Sequence, residues 1–545
     1  MSQKVKATTT TTTESTTILT NENSTSTLDQ QQQQQQQTEY CNNAQKILNI
    51  HIDTTASIEV CYEQIQKIVG ILCPFLLLPY SDKIDNNDND RRFEIKPLTG
   101  GLSNKLFLVS SSNFITDTDT TPGTTVGTVL VRIHPDNNNN ATTSNNDTNI
   151  NTNTNTNTNN SDHKENSHES NNFSIVDREQ EPKFATWLAK QQQRSSSHDV
   201  VQDDEKKDDN NNININMAPT VYGRFINGRV EEFYENVVPL SCSQMKVYAP
   251  WIAQNLASFH QLDTPPTDVL PRPSTNYDAT IYESIHGWLK EAKTVDACSI
   301  ADADQDLLNE LCEEWEWLEK ELTTNPPPQY HQSQSSSFDE SNNHNTHIII
   351  VKEALEFIRR VVVTHMDCQP LNILIDENDK NIPPSTNLRL IDFEYYGWNP
   401  IAADIANTFC EYCEMSNLRA DYEREYPTLA QQDVFFWNYL LQYDPVRAKQ
   451  FSSYPRRLQQ LQQERNNIGN YDAAGDDDDD IDVEWKLFLT TCSNEVGRFS
   501  LLSHLGWAIW SIVKAQEEDG IDFDYMVYAR HRMEGYAYAK KKFIE

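Results

Sequence analysis

Residues 361–376 read VVVTHMDCQPLNILID, and residues 388–412 read LRLIDFEYYGWNPIAADIANTFCEY. Each stretch begins with a short apolar run that is typical of a strand. An acid stands at the exit of each run, Asp367 in the first and Asp392 in the second, and Asn372 follows Asp367 by five positions. The pattern therefore predicts two strands that each deliver a carboxylate at their end.

This spacing of acids and amide indicates a phosphoryl-transfer site. Such a site needs a carboxylate beside the attacking hydroxyl and hard oxygen ligands for Mg²⁺. Asp367 is the candidate for the first role, and Asn372 and Asp392 are the candidates for the metal. His365 is expected to brace the loop through hydrogen bonds. Each motif alone also occurs by chance at strand ends, but their order after two apolar runs favours the catalytic interpretation.

Residues 364–372 (THMDCQPLN) and 390–412 resemble the choline/ethanolamine kinase family. Met366 departs from the family, which usually has Asn there. Glu394 stands where protein kinases have Gly after Asp-Phe, which argues against a protein kinase. The positions that carry the resemblance in the second stretch are Asp392, Glu394, Tyr395, Asn399, Asp404, Asn407, Phe409 and Glu411.

The resemblance covers roughly residues 50–540 and implies an α+β, two-lobed, protein-kinase-like fold. We expect an ATP-binding N-lobe with a small antiparallel sheet at 46–236 and a larger, mainly helical C-lobe with the catalytic and substrate-binding residues at 237–545. A Thr/Ser/Gln-rich tail at 1–45 is predicted to be disordered, because polar tracts cannot bury enough apolar surface to fold. The same argument predicts disordered insertions at 136–172, 191–216, 324–346 and 464–482.

Phe93–Ser110 has two alternating runs around a Gly-Gly turn, a pattern that predicts a β-hairpin. By itself the pattern fits an ordinary hairpin as well as a phosphate-binding loop. The resemblance favours the second interpretation, because GGLSN is similar to the nucleotide-phosphate loop of choline kinases. It implies that Gly101, Ser103 and Asn104 contact ATP.

A third strand is predicted at Val126–Ile133, and a helix at Ile175–Lys190. The resemblance implies that Arg132 binds phosphate, for which a guanidinium fork is suited; the alternative is a surface Arg at a strand edge. Glu181 is the candidate helix acid that pairs with Arg132. The alternative for Glu181 is an acid that complements the helix dipole.

Ala218–Tyr234 predicts a second hairpin, built around an Asn-Gly turn. The resemblance places it before the hinge between the lobes, where backbone groups around Glu232 and Phe233 would meet the adenine. It also implies that Gln369 contacts the nucleotide. His260, at the end of a predicted helix, is expected to be structural rather than catalytic.

The segment SHLGWAIWSIV at 503–513 places Trp507 and Trp510 three residues apart, on one face of a helix. Composition alone favours an ordinary core pair. The resemblance favours an ammonium cage, since a quaternary ammonium has no N–H to donate and is bound by aromatic faces together with a carboxylate. The other candidates for the acceptor site are one ring, two charges and the catalytic acid: Tyr412, Glu394, Glu411 and Asp367.

The formal net charge is −37 over 545 residues, which disfavours nucleic acid and anionic lipid as partners and suits a cationic substrate. The ten cysteines form no disulfide framework, and Cys410 and Cys413 make a lone CxxC that lacks the four ligands of a structural zinc site. We therefore expect reduced thiols in a cytoplasmic protein. No apolar run approaches the ~20 residues that span a bilayer, so no stable membrane insertion is expected. The sequence is compatible with a homodimer but does not decide the oligomeric state.

Together these patterns predict an ATP- and Mg²⁺-dependent kinase that phosphorylates the hydroxyl of choline or ethanolamine, with a preference for choline. By the resemblance, the product would enter phospholipid synthesis. Three alternatives stay open within kinase-like folds: ethanolamine kinase proper, a phosphotransferase of the aminoglycoside-kinase type, and a non-catalytic binding module in which Met366, in place of Asn, has abolished catalysis. A scaffold role of the Gln and Asn tracts would be an addition to these.

Overall fold

The computed structural model describes residues 47–53, 56–77, 93–98, 105–111, 127–134, 180–197, 218–274, 279–294, 302–324, 340–376, 388–413, 421–457, 482–516 and 523–545. The predictions for the tail at 1–45 and for the insertion at 136–172 fall outside these residues, and so does that for the insertion at 464–482 except for its last residue, Asp482, which caps a helix. The predicted phosphate loop with Gly101, Ser103 and Asn104 also falls outside these residues.

Most of the strands belong to one sheet in the first lobe. Its spatial order is β1-β5-β6-β4-β3-β2, and every neighbouring pair is antiparallel except the parallel pair of β1 and β5. Both predicted hairpins are confirmed, as β2 pairs with β3 and β5 with β6. The strands of the described chain are β1 Ile47–Leu48, β2 Phe93–Leu98, β3 Lys105–Ser111, β4 Thr128–Ile133, β5 Val221–Phe225, β6 Gly228–Glu232, β7 Val237–Pro239, β8 Val361–Thr364, β9 Ile373–Asp376, β10 Arg389–Leu390 and β11 Gly397–Pro400.

The amphipathic helix α1, Ile58–Leu72, packs on this sheet and completes a core separate from that of the second lobe. Side chains alternate along a strand, so Val129 and Val131 of β4 point to the same face, and both are fully buried. Against that face lies an apolar stripe of α1, which includes Ile65, Ile68 and Leu72 at helical spacing. The N-lobe therefore has its own hydrophobic core.

Helices build most of the second lobe. None of the described helices combines the length and apolarity needed to span a lipid bilayer. The helices are α1 Ile58–Leu72, α2 Gln180–Ser197, α3 Cys242–Val247, α4 Ala249–His260, α5 Thr280–Ala292, α6 Asp302–Thr324, α7 Glu340–Ile358, α8 Ile401–Cys410, α9 Tyr422–Glu425, α10 Leu429–Tyr443, α11 Pro445–Ala448, α12 Val483–Lys514 and α13 Tyr525–Phe543.

Helix α12 is the axis of the C-lobe. It is 32 residues long and packs against α5, α6, α7, α8, α10 and α13. Buried residues lie all around it, which is the pattern of a helix enclosed by a core. The mixed architecture of a small antiparallel sheet and a mainly helical lobe confirms the predicted fold class.

Two small sheets set the functional loops on top of this core. β8 pairs antiparallel with β11, so that Thr364, the last residue before the His-Met-Asp loop, lies opposite Gly397. β9 pairs with β10 and with β7, the strand that follows the first lobe. The exits of the two predicted strands are thereby brought to one side of the lobe.

Two of the predicted insertions begin or end at different positions from those expected. Helix α2 continues to Ser197, through Gln and Arg residues of high helix propensity, so 191–197 are helical rather than disordered. Helix α7 starts at Glu340, and α6 ends at Thr324, so the predicted loop at 324–346 is helical at both of its ends. Low-complexity composition identified these insertions but not where the neighbouring helices stop.

Gly228 opens β6 at a place where no side chain fits. A Cβ atom there would lie 2.2 Å from the backbone oxygen of Arg132 and 2.4 Å from the ring of Phe225. We expect Gly228→Ala to lower the free energy of unfolding by about 1–3 kcal/mol, the usual effect of overpacking. Gly506→Ala is the matched control, because its new methyl meets only the tip of Ile285 at 3.3 Å and gains helix propensity. Urea unfolding of both variants measures the difference; equal midpoints would contradict the prediction.

Candidate active site

His365 joins the two strand exits. Its Nδ1 accepts a hydrogen bond from the backbone N–H of Asp367 at 3.2 Å, so the proton resides on Nε2, which donates to the backbone oxygen of Ile391 at 3.1 Å. Burial lowers the pKa of His365, which keeps the ring neutral. The ring thus ties the loop of Asp367 to the residue before Asp392, and the bracing role expected for it is confirmed.

Asp404, in the first turn of α8, also binds the loop that contains Asp367. Its two carboxylate oxygens accept from the backbone N–H groups of His365 and Met366, both at 2.8 Å. Nε2 of His260 lies 2.9 Å from Asp404, and its Nδ1 lies 2.6 Å from the hydroxyl of Tyr439. Burial raises the pKa of Asp404, but hydrogen bonds and charge from the histidines outweigh it and hold the pKa below its ordinary value. His260 is structural, as predicted.

Both functional loops contain a residue in the left-handed backbone region. Met366 has a φ of 62° and Asp392 a φ of 66°. Each such residue costs about 1–3 kcal/mol unless its surroundings hold it. Asn enters this region more readily than Met, which gives a physical reason for the Asn that the family usually has at position 366. Met366 in place of Asn therefore changes the conformational energy of the loop and not the position of the Asp367 side chain.

Asp367 lies at the mouth of this loop and is 8% exposed. Its Oδ2 accepts from Nδ2 of Asn372 at 2.7 Å and from Nε2 of Gln369 at 3.3 Å. Gln369, predicted as a nucleotide contact, is thus placed against Asp367, the candidate for the catalytic carboxylate. The Asn372 amide also reaches the backbone oxygen of Asp367, so two loop residues fix the orientation of one carboxylate.

Three further carboxylates lie near enough to Asp367 for their charges to act on it. Burial, and then the charges of Glu411, Asp392 and Glu394, raise the pKa of Asp367 well above its ordinary value. Burial and the charge of Asp392 raise the pKa of Glu394 to about 8. Burial likewise raises the pKa of Asp392, against the nearby charge of Arg132. The region is therefore short of positive charge and is suited to cationic ligands.

The predicted metal ligands fit a Mg²⁺ ion that is shared with phosphate. Oδ1 of Asp392 is buried and has no hydrogen-bond partner among the described residues. Asn372 uses its Nδ2 on Asp367, which leaves its amide oxygen for another partner. Within the described ranges no group of three or more His, Cys, Asp or Glu could hold a metal alone. Mg²⁺ commonly takes only one or two protein ligands and completes its shell with phosphate and water.

Arg132 belongs to a buried network of two arginines and two glutamates, in which the charges of Arg132 and Glu181 act on each other and Arg229 makes the hydrogen bonds to Glu181. Arg132 donates to Oε1 of Glu231 at 3.2 Å, while Arg229 donates to the other oxygen of Glu231 at 2.5 Å. Arg229 also makes the two 2.8 Å hydrogen bonds to Glu181. The cause is the register of β4 and β6, which sets Arg132 directly opposite Arg229. Sequence reasoning missed Arg229 because this proximity depends on strand pairing.

The network anchors α2 next to the Asp392 loop. Burial raises the pKa of Glu181, but the charge and hydrogen bonds of Arg229 and the charge of Arg132 lower it to about 2. One turn further along α2, the ring of Phe184 stacks on Tyr396 at 3.9 Å. The N-lobe sheet, this helix and the second acid are thus held together.

The hinge residues lie where they were expected. Glu232 ends β6, and Phe233 begins the connection to β7. The backbone N–H of Glu232 donates to the oxygen of Thr220 at 2.8 Å, so that group is used inside the sheet. An adenine contact at this hinge stays a prediction, with the N–H of Phe233 as the next donor along the chain.

The two predicted indoles lie in a row of rings. Trp507 and Trp510 meet edge to face at 5.4 Å, and Tyr395 meets Trp507 edge to face at 5.0 Å. Asn407 sets the orientation of Trp507, because its oxygen accepts from the indole N–H and from the hydroxyl of Ser503, both at 2.8 Å. This explains why the chain has an Asn in the motif that ends at Glu411.

Tyr395 connects this row to the acids, and sequence reasoning did not name it as a site residue. Burial raises its pKa, and so do the nearby charges of Glu394 and Asp367. A small cavity of about 20 Å³ is lined by Tyr395, Trp507 and Met366, the residue before Asp367. The rings and the catalytic loop therefore meet. The sequence feature that could have identified Tyr395 as a site residue is its position directly after the acids at the strand exit.

Tyr412, the third predicted ring, lies just beyond the end of α8, and its contact with the acceptor stays a prediction. Glu411–Cys413 form a 3₁₀ turn, in which successive side chains point about 120° apart, so Glu411 and Tyr412 cannot face the same way. The charge of Glu411 acts on Asp367, and the ring of Tyr412 packs on Phe409 at 5.8 Å. No ring contact within the described chain links Tyr412 to the indoles.

Comparisons with known proteins agree with this geometry. The sequence model for choline/ethanolamine kinases matches residues 192–537. The chain is 28% identical over 331 residues to probable choline kinase 1 of Arabidopsis thaliana, covering 60% of this chain and 71% of that protein. It is 33% identical over 195 residues to choline kinase alpha of Mus musculus, covering 35% and 37%.

Among solved structures, a choline kinase from Cryptosporidium parvum Iowa II has the same fold. It superposes with a TM-score of 0.50 at 21% identity, covering 88% of this chain and 96% of that one. With two lobes, two acids at adjoining strand exits and a family match over more than half of its length, this chain belongs to the choline/ethanolamine kinase family and is a kinase.

Proposed function

We propose that this kinase transfers the γ-phosphate of ATP to the hydroxyl of choline, with ethanolamine as the second acceptor. The observation that carries the proposal is the junction at Tyr395, where a row of aromatic rings meets a group of carboxylates. A quaternary ammonium binds to such rings, each worth about 1–2 kcal/mol when water is excluded. The excess of negative charge supplies the counter-ion.

Asp367 orients the acceptor hydroxyl and accepts its proton. Asn372 and Gln369 both bind Oδ2, which leaves Oδ1 as the oxygen that faces a substrate. The raised pKa makes Asp367 a stronger base than an ordinary carboxylate. Its fixed orientation holds the hydroxyl in line for attack.

The nucleotide lies between the two acids and the N-lobe sheet. Arg132 supplies positive charge beside Asp392, and Arg229 with Glu181 and Glu231 holds Arg132 in place. Asn372 and Asp392 would hold Mg²⁺, which when bound neutralises phosphate charge. We extend the proposal to the remaining candidates for ATP, which are Gly101, Ser103, Asn104, Glu232, Phe233 and Gln369.

Acceptor binding is assigned to four aromatic rings and, besides Asp367, two charges: Tyr395, Tyr412, Trp507, Trp510, Glu394 and Glu411. Trp507 is half-buried and presents part of its indole to the cleft. The product would be phosphocholine, a precursor for phospholipid synthesis. A cytoplasmic location is part of the proposal, supported by the free state of every described cysteine.

Steady-state assays of the full chain with ATP, Mg²⁺ and each amino alcohol test the proposal. We expect a higher kcat/KM for choline than for ethanolamine. A higher value for ethanolamine would contradict the choline preference. Turnover of another alcohol with neither amino alcohol accepted would replace the proposal with a phosphotransferase of the aminoglycoside type.

A further inference from the structure

Arg532 of α13 is one of the most deeply buried charges of the described chain, at 1% exposure. Its Nη2 donates to Oε1 of Glu411 at 2.6 Å. The hydroxyl of Tyr528 accepts two more hydrogen bonds from the same guanidinium, from Nε at 2.8 Å and from Nη2 at 2.5 Å. A buried guanidinium is expensive to desolvate, so its position calls for a physical reason.

Packing alone does not supply that reason. Nη1 of Arg532 is buried and has no hydrogen-bond partner among the described residues. A methionine or leucine would fill similar space without this unsatisfied donor. What the arginine does is join one carboxylate and one phenol. The ring of Tyr528 continues the aromatic row that contains the indoles, through contacts of Tyr528 with Phe523 at 5.5 Å, of Phe523 with Tyr525 at 5.0 Å and of Tyr525 with Trp510 at 5.8 Å.

Glu411 and Tyr528 form one wall of the proposed acceptor pocket, and Arg532 removes hydrogen-bond acceptors from this wall. A phenol oxygen has two lone pairs, and both of those on Tyr528 receive an N–H from Arg532. One oxygen of Glu411 is likewise engaged, and the positive charge offsets that of the carboxylate. The wall keeps aromatic surface and loses places at which an N–H could bind.

The loss of hydrogen-bond acceptors affects the two classes of ammonium differently. A primary ammonium carries three N–H donors that need acceptors when water is removed, whereas a quaternary ammonium carries none. Resting on the function proposed above, we propose that Arg532 is a positioning residue that sets the acceptor preference, by occupying one oxygen of Glu411 and the hydroxyl oxygen of Tyr528 and so disfavouring primary relative to quaternary ammonium.

The test compares kcat/KM for choline and ethanolamine in Arg532→Met, Arg532→Lys and the wild type. Arg532→Met frees Glu411 and Tyr528, so the ethanolamine-to-choline ratio should rise about tenfold, the effect of one hydrogen bond to a charged group. The change should appear in KM more than in kcat. Arg532→Lys keeps the charge but not the fork and should give an intermediate ratio.

Arg530→Met is the matched control. Arg530 lies two residues earlier on α13, is exposed, and pairs with Asp304 on the surface, so the ratio should not change. A folded Arg532→Met protein with the wild-type ratio would overturn the proposal. If the wild type accepts neither amino alcohol, it is the proposed function that fails.

A second measurement decides the matter if both Arg532 variants fail to fold. The wild type is assayed with ethanolamine carrying zero, one, two and three N-methyl groups. Each methyl removes one N–H donor, so kcat/KM should rise at every step. A flat or falling series would overturn the proposal, because it would show that the wall does not discriminate by N–H count.

Discussion

Asp367→Asn should lower kcat by about 10²–10⁴-fold, the usual range for removal of a general base. The amide keeps an oxygen for the hydrogen bond from Asn372, so the loop geometry should survive. What is lost is the basic oxygen that faces the substrate. Steady-state turnover measures the effect, and binding of a fluorescent nucleotide analogue should be retained.

The same substitution should not destabilise the fold, which separates it from a structural defect. The pKa of Asp367 is raised in the folded chain by burial and by the charges of Glu411, Asp392 and Glu394, so the ionised carboxylate opposes folding at neutral pH. A neutral amide removes that opposition, and the urea midpoint should stay equal or rise. Asp306→Asn, at an exposed position, is the control and should change neither quantity. Turnover within tenfold of the wild type would refute the role of Asp367.

Asp404→Ala should lower the free energy of unfolding by about 3–5 kcal/mol, the usual result of removing one partner of a buried charged cluster. The variant leaves the N–H groups of His365 and Met366 and the ring of His260 without their acceptor. It also frees Met366 to leave its left-handed conformation, so that the loop of Asp367 loses its shape. Turnover should therefore fall together with stability.

The pH dependence of this effect has a definite sign. The pKa of Asp404 is lower in the folded chain than in the unfolded chain, so the unfolded chain takes up the proton first. The stabilisation is complete at neutral pH and is lost as the pH falls through the folded pKa. Urea midpoints of wild type and Asp404→Asn should therefore converge towards about pH 4 and below. Asp421→Ala, at an exposed helix N-cap, is the control and should cost only about 1 kcal/mol.

Local pattern sufficed for the parts of the site that lie at strand ends. A strand-like run followed by an acid specifies both the element and the direction in which the side chain emerges, which is why Asp367, Asn372 and Asp392 could be placed from sequence. The pair Trp507 and Trp510 was equally readable, because a separation of three residues on a helix is a contact. The fold class followed from the same motifs through family resemblance.

Partners set by pairing between distant elements could not be read in this way. Arg229 lies beside Arg132 only because β4 and β6 are in a particular register. Arg532 reaches Glu411 across 121 positions of the chain. The direction of the Tyr412 side chain could not be read either, since a tight turn sends it away from the side chain of its neighbour Glu411.

The order in which the pocket is assembled along the chain bears on its synthesis. The two acids and the N-lobe arginines all precede residue 393, whereas the indoles and Arg532 lie beyond residue 506. A ribosome therefore completes the parts proposed to handle nucleotide well before it delivers the wall proposed to recognise the amino alcohol. A nascent or prematurely terminated polypeptide that stops short of α12 would lack both this wall and the helix around which the C-lobe packs, so selective phosphorylation requires that translation has passed α12 and α13.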